Sequence, residues 1–382
     1  MSLRGTTKRL AIAYDAKRVF FNFTGLGNYS RTLLEDLRMY QPQLDLHLFT
    51  PEARLSERVN SFLKESDFHI HEPKVGGGSF WRTFLQAREV ERKGLKIYHG
   101  LSQELPLGLR KRGIRQIVTV HDVIFRKFPK LYAPIDRNIY NRKLRYACKE
   151  ADQIIAISQA TKEDIVEIYG IPPEKVSVIY QSCDPRFLIQ QSPEELESCL
   201  NRYQIDRPFI LSVGSIIKRK RLKTVIEGMG ELSQEMRPLL IVIGKGGTYV
   251  KEVQEKIREL GLEKDVRFFK DIPFDDLPAL YQLALFSVYP SIYEGFGIPV
   301  LESIQSGTPA LISNLSSLPE AGGKGAHYLE EVNKEEMARG MDKLLTDDQY
   351  RNGLALSGLE HAKKFENRHV SQLLADFYAS NG

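Results

Sequence analysis

Leu285-Phe286-Ser287-Val288-Tyr289-Pro290 runs straight into Ser291-Ile292-Tyr293-Glu294-Gly295-Phe296-Gly297-Ile298-Pro299-Val300-Leu301-Glu302, and then into Ser303-Ile304-Gln305-Ser306-Gly307. The first segment is a short, continuous apolar run, the pattern of a strand buried on both faces of a parallel sheet. Pro299 suits the first turn of a helix and Gly307 its end. Strand, glycine loop and helix in succession form the repeating unit of an open α/β sheet. Gly295 and Gly297 let the backbone turn its N–H groups toward a ligand, and amides at a helix N-terminus bind anions. Glu294 stands at the mouth of the loop. Glu302 lies one turn into the helix, where the dipole also favours a carboxylate. Carboxylates accept from hydroxyls and amides donate to phosphate oxygens, so the run suits a ligand carrying both phosphate and vicinal hydroxyls. A plain helix start, with Glu302 capping and the glycines making a turn, is the competing explanation for single residues of the run.

Runs of the same kind recur along the chain. Strands are expected at 10–14, 44–50, 96–99, 116–120, 153–157, 176–180, 209–213, 239–243, 266–269, 285–289 and 308–312. Helical patterns fall between them, at 28–39, 159–169, 222–232, 248–260 and 299–305, with a longer one at 350–364. This alternation predicts an α/β protein of open sheets. Its 382 residues are enough for two domains, each able to bury a core. The chain changes character at 184–208, which divides it into 1–185 and 186–365; the last helix, 366–382, is expected to return to the first domain.

Composition narrows the function classes. No run of 18 apolar residues is present, so no transmembrane helix is expected. Residues 1–9 are polar and basic and lead into an apolar run too short for a signal-peptide core. Cys148, Cys183 and Cys199 leave one thiol unpaired, which fits a reduced, cytoplasmic setting. They and the histidines lack metal-ligand spacing along the chain, so no metal or other cofactor is expected. The net charge of +5 is compatible with anionic ligands or a membrane surface.

In open α/β sheets ligands bind beyond the carboxyl ends of strands, so the residues after each strand carry the chemistry. After 209–213 comes Lys218-Arg219-Lys220-Arg221, at a helix start where cations oppose the macrodipole. A bound diphosphate offsets that mismatch, Arg offering a planar fork and Lys a point charge; a solvated basic turn is the plain alternative. After the first strand comes Thr24-Gly25-Leu26-Gly27-Asn28-Tyr29-Ser30, whose glycines allow close backbone approach. It departs from the dinucleotide fingerprint, since Ser30 stands where the third small residue belongs, and this weakens a dehydrogenase reading. His121-Asp122 follows 116–120, and a strand-end His serves as a polar contact, a general acid or base, or a satisfied structural group. Ser158 reads as an N-cap. Gly244-Lys245-Gly246-Gly247-Thr248 lacks the spacing of a phosphate-binding P-loop.

Over nearly its full length the chain resembles the retaining glycosyltransferase family 4, and within it the mannosyltransferase-like members. The resemblance rests on the E-x7-E run Glu294 to Glu302, the glycine segment at 24–30, and His121-Asp122-Val123 followed by Phe128-Pro129-Lys130-Leu131-Tyr132. It extends through Ala151 to Ser158 and Pro173 to Tyr180. It implies a GT-B fold, two Rossmann-like domains facing each other across a cleft, acceptor side first and nucleotide-sugar side second. It implies that Arg219 and Lys220 bind the donor diphosphate and that Glu302 binds the ribose hydroxyls. Glu294 with the amides of Phe296 and Gly297 would hold the transferred sugar and phosphate, with Ile298 in the same donor-binding set. His121 would contact the sugar near its reacting carbon, Gly27 would pack against the donor phosphate, and no metal would be needed. One position departs from the pattern: many members carry an Arg where this chain has Ser215, which shifts phosphate binding onto Arg219 and Lys220.

The implied reaction is transfer of a hexosyl group, mannose from GDP-mannose by preference, to a saccharide or lipid-linked saccharide in polysaccharide or lipopolysaccharide assembly. Alternatives on the same fold are a nucleotide-sugar epimerase, a phosphorylase and a non-catalytic nucleotide-sugar-binding protein. Residues 126–149 interleave cations with aromatic and aliphatic residues. That suits a helix lying on the inner face of a membrane, or one packed on its own sheet with a solvated face. No nucleic-acid-binding module is present.

Overall fold

The structure is a computed structural model that describes residues 9–64, 67–74 and 77–381. The chain forms two compact units, one comprising residues up to Ser182 and from Phe365 onward, the other Cys183–Lys364.

The first unit is built on β1 (Leu10–Asp15), β2 (Leu44–Phe49), β3 (His69–His71), β4 (Ile97–Gly100), β5 (Arg115–Val120), β6 (Gln153–Ala156) and β7 (Val176–Val178). They form one parallel sheet in the order β3-β2-β1-β4-β5-β6-β7. The order reverses between β1 and β4, the place where such sheets open a crevice. One core joins Ile12, Tyr14, Leu34, Leu37 and Leu46 to Val370, Leu374 and Tyr378 of the last helix, Asn367–Asn381. Fully burying each aliphatic side chain of this kind contributes about 1.5–3 kcal/mol. Polar contacts set the register of that helix: Asn367 Nδ2 donates to both oxygens of Asp36 at 3.0 Å. The Tyr378 hydroxyl lies 2.6 Å from His99 Nδ1.

The second unit is built on β8 (Phe209–Val213), β9 (Leu239–Ile243), β10 (Val266–Phe269), β11 (Ser287–Tyr289), β12 (Ala310–Ser313) and β13 (Ala326–Leu329). Its sheet is also parallel, in the order β10-β9-β8-β11-β12-β13, and reverses between β8 and β11. All five residues of β9 are buried, which explains its unbroken Leu-Leu-Ile-Val-Ile. The segment where the sequence changes character packs with this unit, because Phe187 is buried with its ring against Phe274 and Tyr281.

Two strands absent from the sequence expectation appear, β3 and β13. Both are sheet edges. An edge strand has one ladder and weaker burial, so His-Ile-His and Ala-His-Tyr-Leu do not need the continuous apolar pattern. The helix expected at 28–39 begins three residues earlier, as Gly25–Tyr40, so the glycine segment is its first turn rather than a loop. Ser158 caps Gln159–Tyr169, its Oγ accepting from Thr161 N at 3.0 Å, and Gly170 closes that helix in the left-handed conformation.

Candidate functional site

The clearest constellation lies in the second unit where the strand order reverses. β8 leads into 214–221 and β11 into 290–297. Gly214 has φ +130, and a Cβ there would lie 2.6 Å from Lys220 Nζ. The positive φ favours glycine here, and the missing side chain leaves room for the lysine to fold back over the strand end. Lys220 Nζ then sits 4.7 Å from the centroid of the Tyr289 ring, a cation–π contact at the end of β11. Burial is the main reason its proton affinity is lowered; Glu294 raises it, Arg219 lowers it further, and Glu302 raises it.

Arg219 is turned inward. Its Nη1 lies 2.7 Å from Glu294 Oε1, donates to Ser291 Oγ at 3.1 Å and also to the Tyr293 carbonyl. Tyr289 donates to the same Glu294 oxygen at 2.9 Å. Buried Arg219 and Tyr289 and half-buried Glu294 thus form a charge-assisted network joining the two loops. The basic run is therefore split. Lys218 is exposed and pairs with Glu252 at 2.9 Å. Arg221, in the left-handed conformation, caps the helix Leu222–Glu231. The four cations are not equivalent: Arg219 meets Glu294 and Lys220 meets the Tyr289 ring, whereas Lys218 pairs with Glu252 and Arg221 takes the N-cap position.

The loop of the opening motif is held from behind. Ser316 Oγ donates to the Glu294 carbonyl at 2.7 Å, and Ser317 Oγ donates to the carbonyls of Glu294 and Phe296 at 2.9 and 2.8 Å. Gly297 has φ +117 at the N-cap of the helix Ile298–Gln305, and a Cβ there would meet Leu318 Cδ2 at 2.8 Å. These contacts fix the backbone at the start of this helix, and a helix N-terminus is where backbone amides can bind anions. Glu302 is buried within this helix and accepts from the Tyr281 hydroxyl at 3.2 Å. The dipole was expected to favour its charge, but burial dominates: its carboxyl is pushed up to about 7. The Tyr281 hydrogen bond and Lys220 oppose that shift, and Asp184 adds to it.

The two candidates in the first unit occupy different settings. His121 follows β5, is 5 % exposed, and places Nε2 2.8 Å from the Leu101 carbonyl, with the Tyr29 ring edge-on at 4.6 Å. A carbonyl only accepts, so Nε2 carries the proton and Nδ1 of the neutral ring is an acceptor. Burial pushes its pKa down to about 4; the Leu101 bond acts in the other direction and Arg18 lowers it further. Gly27 lies in the first helical turn, where a Cβ would be 1.7 Å from the Asn22 carbonyl oxygen. Its amide donates to Asn22 Oδ1 at 3.0 Å. The glycine is thus demanded by the chain's own packing.

The sequence reading missed Tyr281, Tyr289, Ser291, Ser316 and Ser317. Tyr289 ends a strand and Ser291 stands in the loop itself, so both were recoverable on that ground; Ser316 and Ser317 lie after the next strand and meet the loop only in the fold. A cluster of ligand-type side chains was missed as well. Nothing in the linear spacing marks one, yet pairing of β2 with β3 brings ligand atoms of Asp45, His47 and His69 within 4.8 Å of one another. Among the described residues, no helix is long and apolar enough to cross a membrane.

Comparison with known proteins agrees with this architecture. Residues 23–187 match the model described as Glycosyltransferase Family 4, and residues 201–360 match Glycosyl transferases group 1. The chain is 27% identical over 377 residues to the O-antigen chain mannosyltransferase B of Escherichia coli, covering 93% of this chain and 96% of that protein. Among solved structures, a glycosyltransferase from Rickettsia africae ESF-5 superposes with a TM-score of 0.77 at 17% identity, covering 97% of this chain and 98% of that one. Anabaena Alr3699/HepE, in complex with UDP and glucose, superposes with a TM-score of 0.73 at 17% identity, covering 97% and 100%. At that identity the likeness carries the fold, two Rossmann-like units of GT-B type.

Proposed function

The chain belongs to the group 1 glycosyltransferases of family 4, and from that premise we propose that it moves a hexosyl group, with retention, from a nucleoside diphosphate sugar to a saccharide or lipid-linked saccharide. The observation that carries this reading is the inward pair Arg219 and Lys220 beside Glu294, at the mouth of an amide-lined helix start that holds Glu302. Cations and amides suit a diphosphate; the two carboxylates suit hydroxyls.

Charge builds on the departing diphosphate as the glycosidic bond breaks, and fixed donors aimed at that charge lower the barrier. Lys220 is the better placed for this task, since its contact at the site is an aromatic face rather than a carboxylate. Arg219 already serves Glu294 and orients it. Glu294, engaged by both Arg219 and Tyr289, is suited to orienting sugar hydroxyls and poorly suited to attacking carbon. This favours a route in which the leaving phosphate assists deprotonation of the acceptor. Glu302 is assigned to the ribose hydroxyls, Phe296, Gly297 and Ile298 to the donor by their amides, and Gly27 to the phosphate side. His121 is assigned to the transferred sugar, its Nδ1 accepting from a hydroxyl.

Mannose from GDP-mannose is the preferred donor, and polysaccharide or lipopolysaccharide assembly the preferred setting, supported by the likeness to the O-antigen mannosyltransferase. Peripheral membrane contact is supported by the helix Pro134–Glu150. It buries Leu144, Ala147 and Cys148 but leaves Ile135 74% exposed and Ile139 and Tyr140 exposed beside Arg142 and Arg145. Calorimetric titration with GDP, UDP, ADP and their sugar conjugates tests the donor assignment on wild type and Lys220→Ala. Binding of one nucleotide, lost in the variant, supports it; no binding by folded protein overturns it. Ile135→Glu with Ile139→Glu should abolish cosedimentation with anionic vesicles, and unchanged cosedimentation would remove the membrane proposal.

A further inference from the structure

Four ligand-type side chains converge at the β2–β3 edge of the first unit. Asp45 and His47 are two residues apart on β2, His69 and His71 two apart on β3, so each pair shares a face. The strands are parallel with His47 opposite His69 and Phe49 opposite His71, which brings both pairs onto the same face. Asp45 Oδ2 lies 3.1 Å from His47 Nε2, and Asp45 Oδ1 lies 2.9 Å from His69 Nε2. On the far side of the His47 ring, Nδ1 lies 2.9 Å from His71 Nε2. The His47 ring stacks on His69 and on His71, at 4.6 and 5.2 Å between centroids.

We propose that Asp45, His47 and His69 bind one divalent transition-metal cation, of which Zn²⁺ fits best, and that His71 positions His47 from behind. Three features carry this. First, the donor set is two imidazoles and a carboxylate, which selects Zn²⁺ and its neighbours over Mg²⁺ or Ca²⁺. Second, Zn–N bonds of about 2.0–2.1 Å in a tetrahedron place ligand atoms about 3.3 Å apart. The histidine nitrogens lie 3.1 and 2.9 Å from the two oxygens of Asp45, and one ligand atom from each residue lies within 4.8 Å of the others, so side-chain rotation can bring them to that spacing. Third, a metal-bound histidine characteristically donates its other N–H to a fixed acceptor, and His71 Nε2 lies where that acceptor is needed. In the bound form His47 presents its Nε2 lone pair and carries its proton on Nδ1, donated to His71. His69 is half exposed, which supplies the entry path and leaves room for water in the fourth position.

The site differs in kind from the donor site, for it lies at a sheet edge. β3 joins the sheet through only three residue pairs. Cross-linking β2 to β3 through a cation would anchor this short strand, so the role assigned is structural.

The test is titration of the chelator-treated full chain with ZnCl₂, followed by calorimetry, with Co²⁺ as a spectroscopic substitute. One Zn²⁺ per chain is expected, with the visible absorption of tetrahedral Co²⁺. Affinity should fall at least tenfold in His69→Ala and in the near-isosteric Asp45→Asn, and by about 10–100-fold in His71→Ala. His369→Ala, an exposed histidine elsewhere in the chain, should bind as wild type. Circular dichroism confirms folding of each variant, and Asp45→Asn keeps the test valid if an alanine variant fails to fold. Absence of stoichiometric binding, or undiminished binding in both Asp45→Asn and His69→Ala, would overturn the assignment. Nucleotide titration in the presence and absence of ZnCl₂ should be identical, which separates this site from the donor site.

Discussion

Glu302→Gln should stabilise the second unit above neutral pH while weakening donor binding. The Glu302 carboxyl is buried and its pKa is raised from the ordinary 4.5 to about 7, chiefly by loss of solvent. The folded state therefore holds this proton more tightly than the unfolded state. Stability is lost as pH rises from about 4.5 to about 7, and the deficit is complete above that window. At about 1.4 kcal/mol for each tenfold change in proton affinity, the deficit is about 3 kcal/mol. Glutamine is uncharged throughout, has nearly the same shape, and retains an oxygen to accept from Tyr281. Variant and wild type should unfold alike near pH 4.5. Above pH 7 the variant should gain up to about 3 kcal/mol, roughly 6–12 °C in Tm for a unit of this size. Thermal unfolding followed by circular dichroism across that range reads the gap, and calorimetry reads the nucleotide affinity. A gap of the same size at pH 5 and pH 8, or none at either, would refute the claim that burial holds this carboxyl against its charge. A stabilised variant with unchanged nucleotide affinity would leave the electrostatics standing and remove Glu302 from the donor site.

Other variants separate binding from scaffolding. Lys220→Met should fold with near-wild-type stability and lose at least tenfold in nucleoside diphosphate affinity, since a charge-assisted bond is worth about 1.5–3 kcal/mol; calorimetry checks it. Arg219→Ala removes the cation paired with the half-buried Glu294 carboxylate and should cost about 1–3 kcal/mol in urea unfolding, more than Lys220→Met. Gly297→Ala should destabilise by about 1–3 kcal/mol, from the left-handed φ and the contact with Leu318, visible as a lowered urea midpoint. His121→Gln can still donate to the Leu101 carbonyl. The native histidine resists protonation down to about pH 4, so wild type loses stability as pH falls from 6.5 toward 4. The variant should show a shallower loss over that window together with reduced transfer activity.

Local chemistry made most of the fold legible. Continuous apolar runs such as Leu239–Ile243 announce strands buried on both faces, and β9 is indeed buried along its whole length. The motif proposed to hold the donor was legible for a related reason: its loop, helix start and both glutamates are contiguous, so spacing alone brings them together. Edge strands β3 and β13 escaped because one-sided burial relaxes the apolar requirement that identifies a strand. Pairing in space belongs to the tertiary structure alone. Arg219 and Glu294 lie far apart in the chain and meet only because β8 and β11 are neighbours. That neighbourhood also separates Arg219 and Lys220 from Lys218 and Arg221, which the linear basic run does not distinguish. The same holds for Asp45, His47, His69 and His71. Each strand contributes an unremarkable x-His pattern, and parallel pairing at one register converts two such patterns into a four-residue cluster. Short-range order follows from periodicity and backbone preference, whereas charge pairing and ligand geometry depend on which strands become neighbours, and that is decided by burial of the whole sheet.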